Sequence, residues 1–379
     1  QKPLKVLHSS IEYEKAQVGG IGAFTKSLLS AQNHDRSKQD ARIITPFYDF
    51  YLKEYPEAKF VTTIEHYYKD KMVVSSVYKV MSQNGTVPQY LIKPPLEHTE
   101  LFDVETQANI YKSFPGSSLG DRFISFFSHA ATAFGARHIG NGKATKPFDV
   151  FHFQSPFCCG LAPKSIHDHY NPWRKAAGLT DLSMAQSMHS TGYDDQLIYN
   201  ESYARSLYQD AGLKKPKSSG QNIQALAYRY IHMAIHVSKA LATLAKDEAA
   251  YGLEQFTRKK SEHKRMVGVQ NGINTSAFNP TNAAILGRYA FTEDEKGDID
   301  FKTQRKALKQ ELYDHGIIPD PKKPLFTFIG RFSLEKGIGT LPAMVERVLK
   351  EGGQCLIAGL LQQCKDSNTI IAQMQKLEK

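Results

Sequence analysis

A chain of 379 residues exceeds one ordinary domain, and its 41% hydrophobic, 23% charged composition supplies core for two. No apolar run is long enough to cross a bilayer and no secretory leader is recognisable, so a membrane-spanning or exported protein is not expected. The 48 basic residues against 38 acidic ones, a net charge of +10, favour an anionic partner: a phosphorylated small molecule, an acidic protein surface or nucleic acid.

Leu4 to Leu7 begins a strand that His8-Ser9-Ser10 ends. A loop with three glycines follows, Val18-Gly19-Gly20-Ile21-Gly22, and then an amphipathic helix from Ala23 to Gln32. Strand, glycine-rich loop and helix open a nucleotide-binding α/β domain, because glycines admit a close ligand and a helix N-terminus favours anionic groups. The spacing Gly-Gly-x-Gly is not the dinucleotide fingerprint, which argues against an NAD enzyme, and the same glycines would also serve a plain tight turn. Strands are predicted over Ala41–Thr45 and Val73–Val80, followed by an irregular stretch from Pro94 to Leu119. Asp121 to Ala131 reads as a helix whose aromatic face is core rather than a sugar platform.

Asp149–Phe153 and Ser183–Ser187 read as further strands, the second leading into His189-Ser190-Thr191-Gly192-Tyr193. Strands alternating with helices imply a parallel sheet covered on both faces, where ligands bind beyond the strands' carboxyl ends. His152 and His189 fall there, either as binding groups or as structural histidines. A long helix is predicted over Asn222–Val237, with His232 and His236 four residues apart on one face, but no third ligand suggests itself for a metal. His167 and His169 belong to the exposed side of another helix. Lys239–Leu244 reads as a strand and Met266–Gln270 as another; between them Glu254–Lys264 is a basic, solvated helix. The cysteines (Cys158, Cys159, Cys355 and Cys364) show no metal spacing and no ready bridge, so reduced thiols in the cytoplasm are the default.

Near the end, Leu325–Ile329 reads as a buried strand between Pro324 and Gly330, and Ile338–Leu349 as a helix with Leu341, Val345 and Val348 on one side. Arg331, Lys336 and Gly337 lie between strand and helix. Cations beside free backbone N–H groups at a helix start suit a phosphate, although a solvated basic loop would look the same.

The order of these motifs resembles that of the glycogen and starch synthase family, retaining glycosyltransferases of GT-B architecture. The resemblance is carried by Val18–Gly22, by Asp121-Arg122-Phe123 within its helix, and by Asp149 to Pro163. It continues through Tyr251-Gly252-Leu253-Glu254, Asn271-Gly272-Ile273-Asn274 and the Arg-x-x-x-x-Lys-Gly pattern of Arg331 to Gly337. It implies an α/β fold of two Rossmann-like domains facing a cleft: 1–266, then a crossover at 267–323, then the start of a C-terminal donor-binding domain at 324–379, present only in part. It further implies transfer of a sugar, usually glucose, from a nucleotide diphosphate sugar to a carbohydrate acceptor, with no metal or other cofactor. Arg331 and Lys336 would neutralise the departing diphosphate, Gly19, Gly20 and Gly22 would approach it, and Lys15 would reach the same phosphates. His152, His189 and Asn271 would meet sugar or acceptor. Nucleic acid is not an expected partner.

Three departures from the family pattern bear on function. Gln17 stands where the family has a lysine two positions before the paired glycines. The family's His-x-His-Asp-Trp-His block reads His152-Phe153-Gln154-Ser155-Pro156-Phe157, so its active-site histidine is replaced. The chain also stops before the family's acidic Glu-x-x-x-Gly-Leu region, which suggests a fragment of a longer chain. Two alternatives accompany the polyglucan reading: the same chemistry on a protein or other acceptor, and a non-catalytic nucleotide-binding scaffold.

Overall fold

The computed structural model describes residues 2–35, 38–69, 71–110, 118–137, 147–155, 158–189, 223–247, 253–276, 278–294, 296–330, 332, 336–359 and 365–377. It divides into two units, Gln1–Ile273 and Asn274–Lys379, so the stretch expected as a crossover, 267–323, is shared between them.

The first unit is built on a sheet of nine strands among the described residues. In chain order these are β1 (Leu4–Ser9), β2 (Gln39–Pro46), β3 (Lys59–Tyr68), β4 (Lys71–Met81), β5 (Pro88–Lys93), β6 (Val150–Phe153), β7 (Ser183–Met188), β8 (Met233–His236) and β9 (Met266–Gly268). Across the sheet they run β3-β4-β5-β2-β1-β6-β7-β8-β9. From β5 to β9 every neighbouring pair is parallel, and β4 alone runs against the others, pairing antiparallel with both β3 and β5. The chain winds outward from β1 to one side and then returns to build the other side from β6. The boundary between β1 and β6 is therefore the switch point where open α/β sheets take ligands. Register places His8 beside His152 and Ser9 beside Phe153.

Helix α1 (Gly20–Gln32) follows β1 directly. Helix α2 (Ser118–Arg137) packs on the sheet through Phe123, Phe126, Phe127 and Phe134, all buried, so its aromatic face is core as its spacing predicts. Arg174 is fully buried as well, and it donates to three backbone carbonyls, those of Thr180, Ala136 and Phe148, at 2.7, 3.1 and 2.9 Å. Those carbonyls satisfy a guanidinium that burial pushes below its ordinary pKa.

Several elements differ from their expectation. β3 and β5 occupy stretches not predicted as strands. The long helix expected over 222–237 is instead α3 (Ile223–Tyr230) followed by β8, so His232 and His236 do not share a helix face. His232 accepts from the Met184 N–H at 3.0 Å, while His236 ends the strand. Residues 239–244 lie in α4 (Lys239–Asp247) rather than in a strand, capped by Ser238, whose hydroxyl accepts from the Leu241 N–H at 3.0 Å. In α5 (Glu254–Glu262) Lys260 is not solvated but buried, donating to the Ile231 carbonyl, and burial lowers its pKa to about 8.

The second unit carries α6 (Phe301–Asp314), whose N-cap Asp300 accepts from the Thr303 N–H at 2.9 Å. That bond gives the carboxylate a capping role, and among the described residues no group of His, Cys, Asp and Glu could hold a metal ion. β10 (Leu325–Ile329) and β11 (Gln354–Ala358) pair in parallel, covered by α7 (Leu341–Lys350) and α8 (Lys365–Leu377). A small core gathers Phe332, Ile338, Leu341 and Ile370, with Phe328 and Ile357 packed against it. The expectation of a buried β10 is corrected here. Its core-facing Phe328 is drawn in, but Ile329 on the other face is 81% exposed, since nothing among the described residues covers that side. No helix among the described residues is long and apolar enough to cross a membrane.

Candidate functional site

The first unit assembles a polar site at the carboxyl edge of β1, β6 and β7, beneath the start of α1. Gly19 is the N-cap of that helix and offers no side-chain cap. A residue not singled out in the sequence fills the role instead. Glu12 is buried, and its Oε2 accepts from the N–H groups of Val18 and Gly19 at 2.9 and 2.7 Å. A carboxylate near the amino end of a helix is favoured by the oriented peptide dipoles. Of the glycines expected to approach a pyrophosphate, Gly19 thus has its amide already engaged by an internal anion, together with the neighbouring Val18 amide.

The three glycines differ in what they permit. A Cβ at Gly20 would meet nothing within 4 Å, so this position stands open to a ligand. A Cβ at Gly22 would lie 2.9 Å from Gln17 Cγ and 3.0 Å from Glu12 Oε2, so Gly22 serves the packing of the loop on itself. Lys15 points elsewhere: its Nζ pairs with Glu54 Oε2 at 2.8 Å, and that carboxylate raises the lysine's pKa. Lys26, on α1, lies 3.5 Å from Oε1 of the buried Glu14.

Next to the loop lies a chain of hydrogen bonds that begins in β1. Gln154, fully buried just past β6, donates through Nε2 to His8 Nδ1 at 2.8 Å. His8 then carries its own proton on Nε2, which donates to Gln32 Oε1 at 2.8 Å. At the other end Gln154 Oε1 accepts from His189 Nε2 at 3.3 Å. His189 follows β7 immediately and meets the Phe24 ring of α1 edge-on, centroids 4.8 Å apart, which ties it to the glycine-rich end of that helix. His152 lies inside β6, buried, with Nε2 and Ser187 Oγ 2.9 Å apart and its ring 4.8 Å from that of His8. Burial holds His8 and His189 at about 4 and pushes His152 well below its ordinary value. All three imidazoles are neutral at physiological pH.

Of the residues expected to act, the structure thus gathers Gly19, Gly20, Gly22, His152 and His189 in one region and turns Lys15 to a different partner. Asn271 is exposed in the loop after β9, its N–H bonded to the Val237 carbonyl at 3.3 Å. Lys336 belongs to the second unit. It is exposed, makes no ion pair with a described residue, and directly precedes Gly337, whose φ of 78° is the left-handed conformation that glycine adopts without strain. That turn leads through Ile338–Thr340 into α7. Arg331 lies outside the described residues. Glu12 and Gln32 are contributors that sequence patterns did not reveal, since isolated polar residues at the ends of elements carry no spacing signal of their own, and Gln154 stands out only as a departure from the family's histidine block.

Sheet order, switch point and glycine-rich helix start define a Rossmann-like α/β unit with a ligand site at the carboxyl ends of its strands, and the similarities that follow make the class a glycosyltransferase of GT-B fold. The chain belongs to the starch synthase catalytic domain family, which matches residues 5–259. Glycogen synthase of Actinobacillus succinogenes is 24% identical over 369 residues, covering 94% of this chain and 69% of the relative. Glycogen synthase of Hydrogenovibrio crunogenus is 24% identical over 370 residues, covering 91% of this chain and 68% of the relative. Among solved structures, the catalytic domain of starch synthase IV from Arabidopsis thaliana bound to ADP and acarbose superimposes with a TM-score of 0.72. It is 21% identical, and the match covers all of this chain and 72% of that one.

Proposed function

We propose that the protein moves glucose from a nucleotide diphosphate glucose to a glucan, with retention of anomeric configuration and without a metal. The observation that carries this reading is the alignment with glycogen synthases over 94% of the chain. The starch synthase neighbour bound ADP and acarbose, a nucleotide diphosphate and an oligosaccharide, which is the pair of ligand types the reading needs. Arg331 and Lys336 take the negative charge that grows on the diphosphate as the glycosidic bond breaks, so their contribution is larger in the transition state than in the bound donor. Gly20 leaves room for the donor at the start of α1. A neutral His189 suits sugar recognition, because the unprotonated nitrogen of an uncharged imidazole accepts from a hydroxyl group.

The test is incubation of the purified chain with labelled ADP-, UDP- and GDP-glucose, with and without glycogen. Transfer from one donor is expected, and Arg331→Ala should lower it by a factor of about 100 or more. A wild type that binds a nucleotide diphosphate in a thermal-shift panel yet turns over no donor is a scaffold, and the transferase reading is then wrong. A second reading keeps the chemistry and changes the acceptor to a protein or other non-polyglucan molecule. Gln154 favours it, standing where the family carries its histidine. An increase in the intact mass of a partner protein, with no labelling of glycogen, selects it.

A further inference from the structure

We propose that Gln154 is a positioning residue that sets His189 to present an unprotonated Nδ1 as a hydrogen-bond acceptor for a sugar hydroxyl. This rests on the transferase reading for the identity of the ligand, but not for the state of the imidazole.

The argument begins with what each atom can do. A carboxamide oxygen only accepts and its nitrogen only donates, so a buried glutamine between two imidazoles dictates where each carries its proton. With Gln154 Nε2 on His8 Nδ1 at 2.8 Å and Gln154 Oε1 on His189 Nε2 at 3.3 Å, the His8 proton sits on Nε2 and so does that of His189. Gln32 Oε1 accepts the His8 proton at 2.8 Å and closes the far end of the chain. Both nitrogens of His8 and both polar atoms of the Gln154 carboxamide are matched, whereas His189 Nδ1 has no partner among the described residues.

That atom belongs to a residue only half buried, whereas Gln154 and His8 are fully buried. It lies at the carboxyl edge of β7, against Phe24 and therefore near the open Gly20 position. Burial lowers the His189 pKa to about 4, so the lone pair stays available above that pH. An acceptor held in place in this way recognises the hydrogen of a hydroxyl, the group a sugar supplies in quantity and a phosphate dianion lacks. The hydroxyl could come from the donor's glucose or from the acceptor glucan.

Ring-nitrogen NMR on the full chain labelled with ¹⁵N-histidine tests the first half without any turnover. His189 is expected to be protonated at Nε2 alone in the wild type and to populate both tautomers in Gln154→Met. A wild-type His189 protonated at Nδ1, or tautomers indifferent to Gln154→Met, overturns the proposal. Kinetics with ADP-glucose and maltoheptaose as probes test the second half. His189→Asn, whose Oδ1 falls near the position of Nδ1, should hold KM within about threefold of wild type, whereas His189→Phe should raise it about tenfold with kcat less affected, a loss of about 1.4 kcal/mol in binding. The substrate whose KM moves identifies the source of the hydroxyl. If His189 only fills space the ranking reverses, with Phe tolerated and Asn harmful, and the proposal fails. Should the wild type show no turnover, the function reading fails while the tautomer measurement still decides this one.

Discussion

The two units use the same strand-and-helix vocabulary and differ in how completely they cover it. In the first, Leu7, Phe151 and Phe153 lie in strands with a neighbour on each side and vanish from solvent. In the second, β10 has a single neighbour among the described residues, and Ile329 remains 81% exposed although its sequence is as apolar as any strand of the first. Apolar composition thus specifies a strand, while burial is conferred by the layers that come to rest on it. Stability and acid sensitivity should accordingly concentrate in the first unit.

The largest effect that tests this contrast comes from Phe126, fully buried in α2 among Tyr68, His66 and Phe102. Phe126→Ala should cost about 4 kcal/mol, read by urea denaturation followed through the fluorescence of Trp173, the only tryptophan and a residue of the first unit. If the loss is under about 1 kcal/mol, the ranking of the two cores is wrong.

Acid should act next. The His8 pKa falls from 6.5 unfolded to about 4 folded, so the neutral form is the one that folding keeps. Its contribution, on the order of 3 kcal/mol, is whole above about pH 6.5 and is lost as pH falls toward 4. His66 and His236 shift in the same direction to about 4, also through burial. The second unit holds one histidine, His315, and it is exposed. Hydrogen exchange between pH 7 and pH 4.5 should therefore show protection lost in the first unit's sheet before that of β10 and β11. Simultaneous loss in both units would contradict the comparison.

A smaller effect separates two glycines of one loop. Gly22→Ala should cost about 1–3 kcal/mol, because the new Cβ meets Gln17 Cγ at 2.9 Å, Glu12 Oε2 at 3.0 Å and Gln17 Cα at 3.1 Å. Gly20→Ala meets nothing and lies in a helix, so its melting temperature should equal or slightly exceed that of the wild type. The least effect belongs to Ile329→Thr, expected within about 0.5 kcal/mol by hydrogen exchange of the β10 and β11 amides, since that side chain has little contact to lose.

Much of the fold could be read from spacing. The β1, glycine loop and α1 succession, the aromatic face of α2, and the placement of β6, β7, β10 and α7 all follow from period and punctuation. The errors share a cause: β8 is a four-residue strand inside an apolar run, where neither period can assert itself, and the helix before it ends at Tyr230 without glycine or proline. In α4 the cap at Ser238 was the available signal, and the run Lys239–Leu244 hid it. The site was legible only as a neighbourhood. Glycines and histidines marked it, but Glu12 turning onto Val18 and Gly19, and Gln154 reaching His8 from 146 residues away, are products of tertiary assembly. Lys15 shows the opposite case, a cation near the right glycines in sequence that the fold commits to Glu54.

Glu12 acts as a built-in counter-ion for the amides of its own loop. The two hydrogen bonds fix the turn from within, without any group supplied from outside the chain. If the donor enters there as proposed, it would meet a local charge already settled, and its phosphates would find their compensation in cationic side chains rather than in these two amides. Selectivity among donors would then be tuned by altering cations, with the backbone of the turn left as it is.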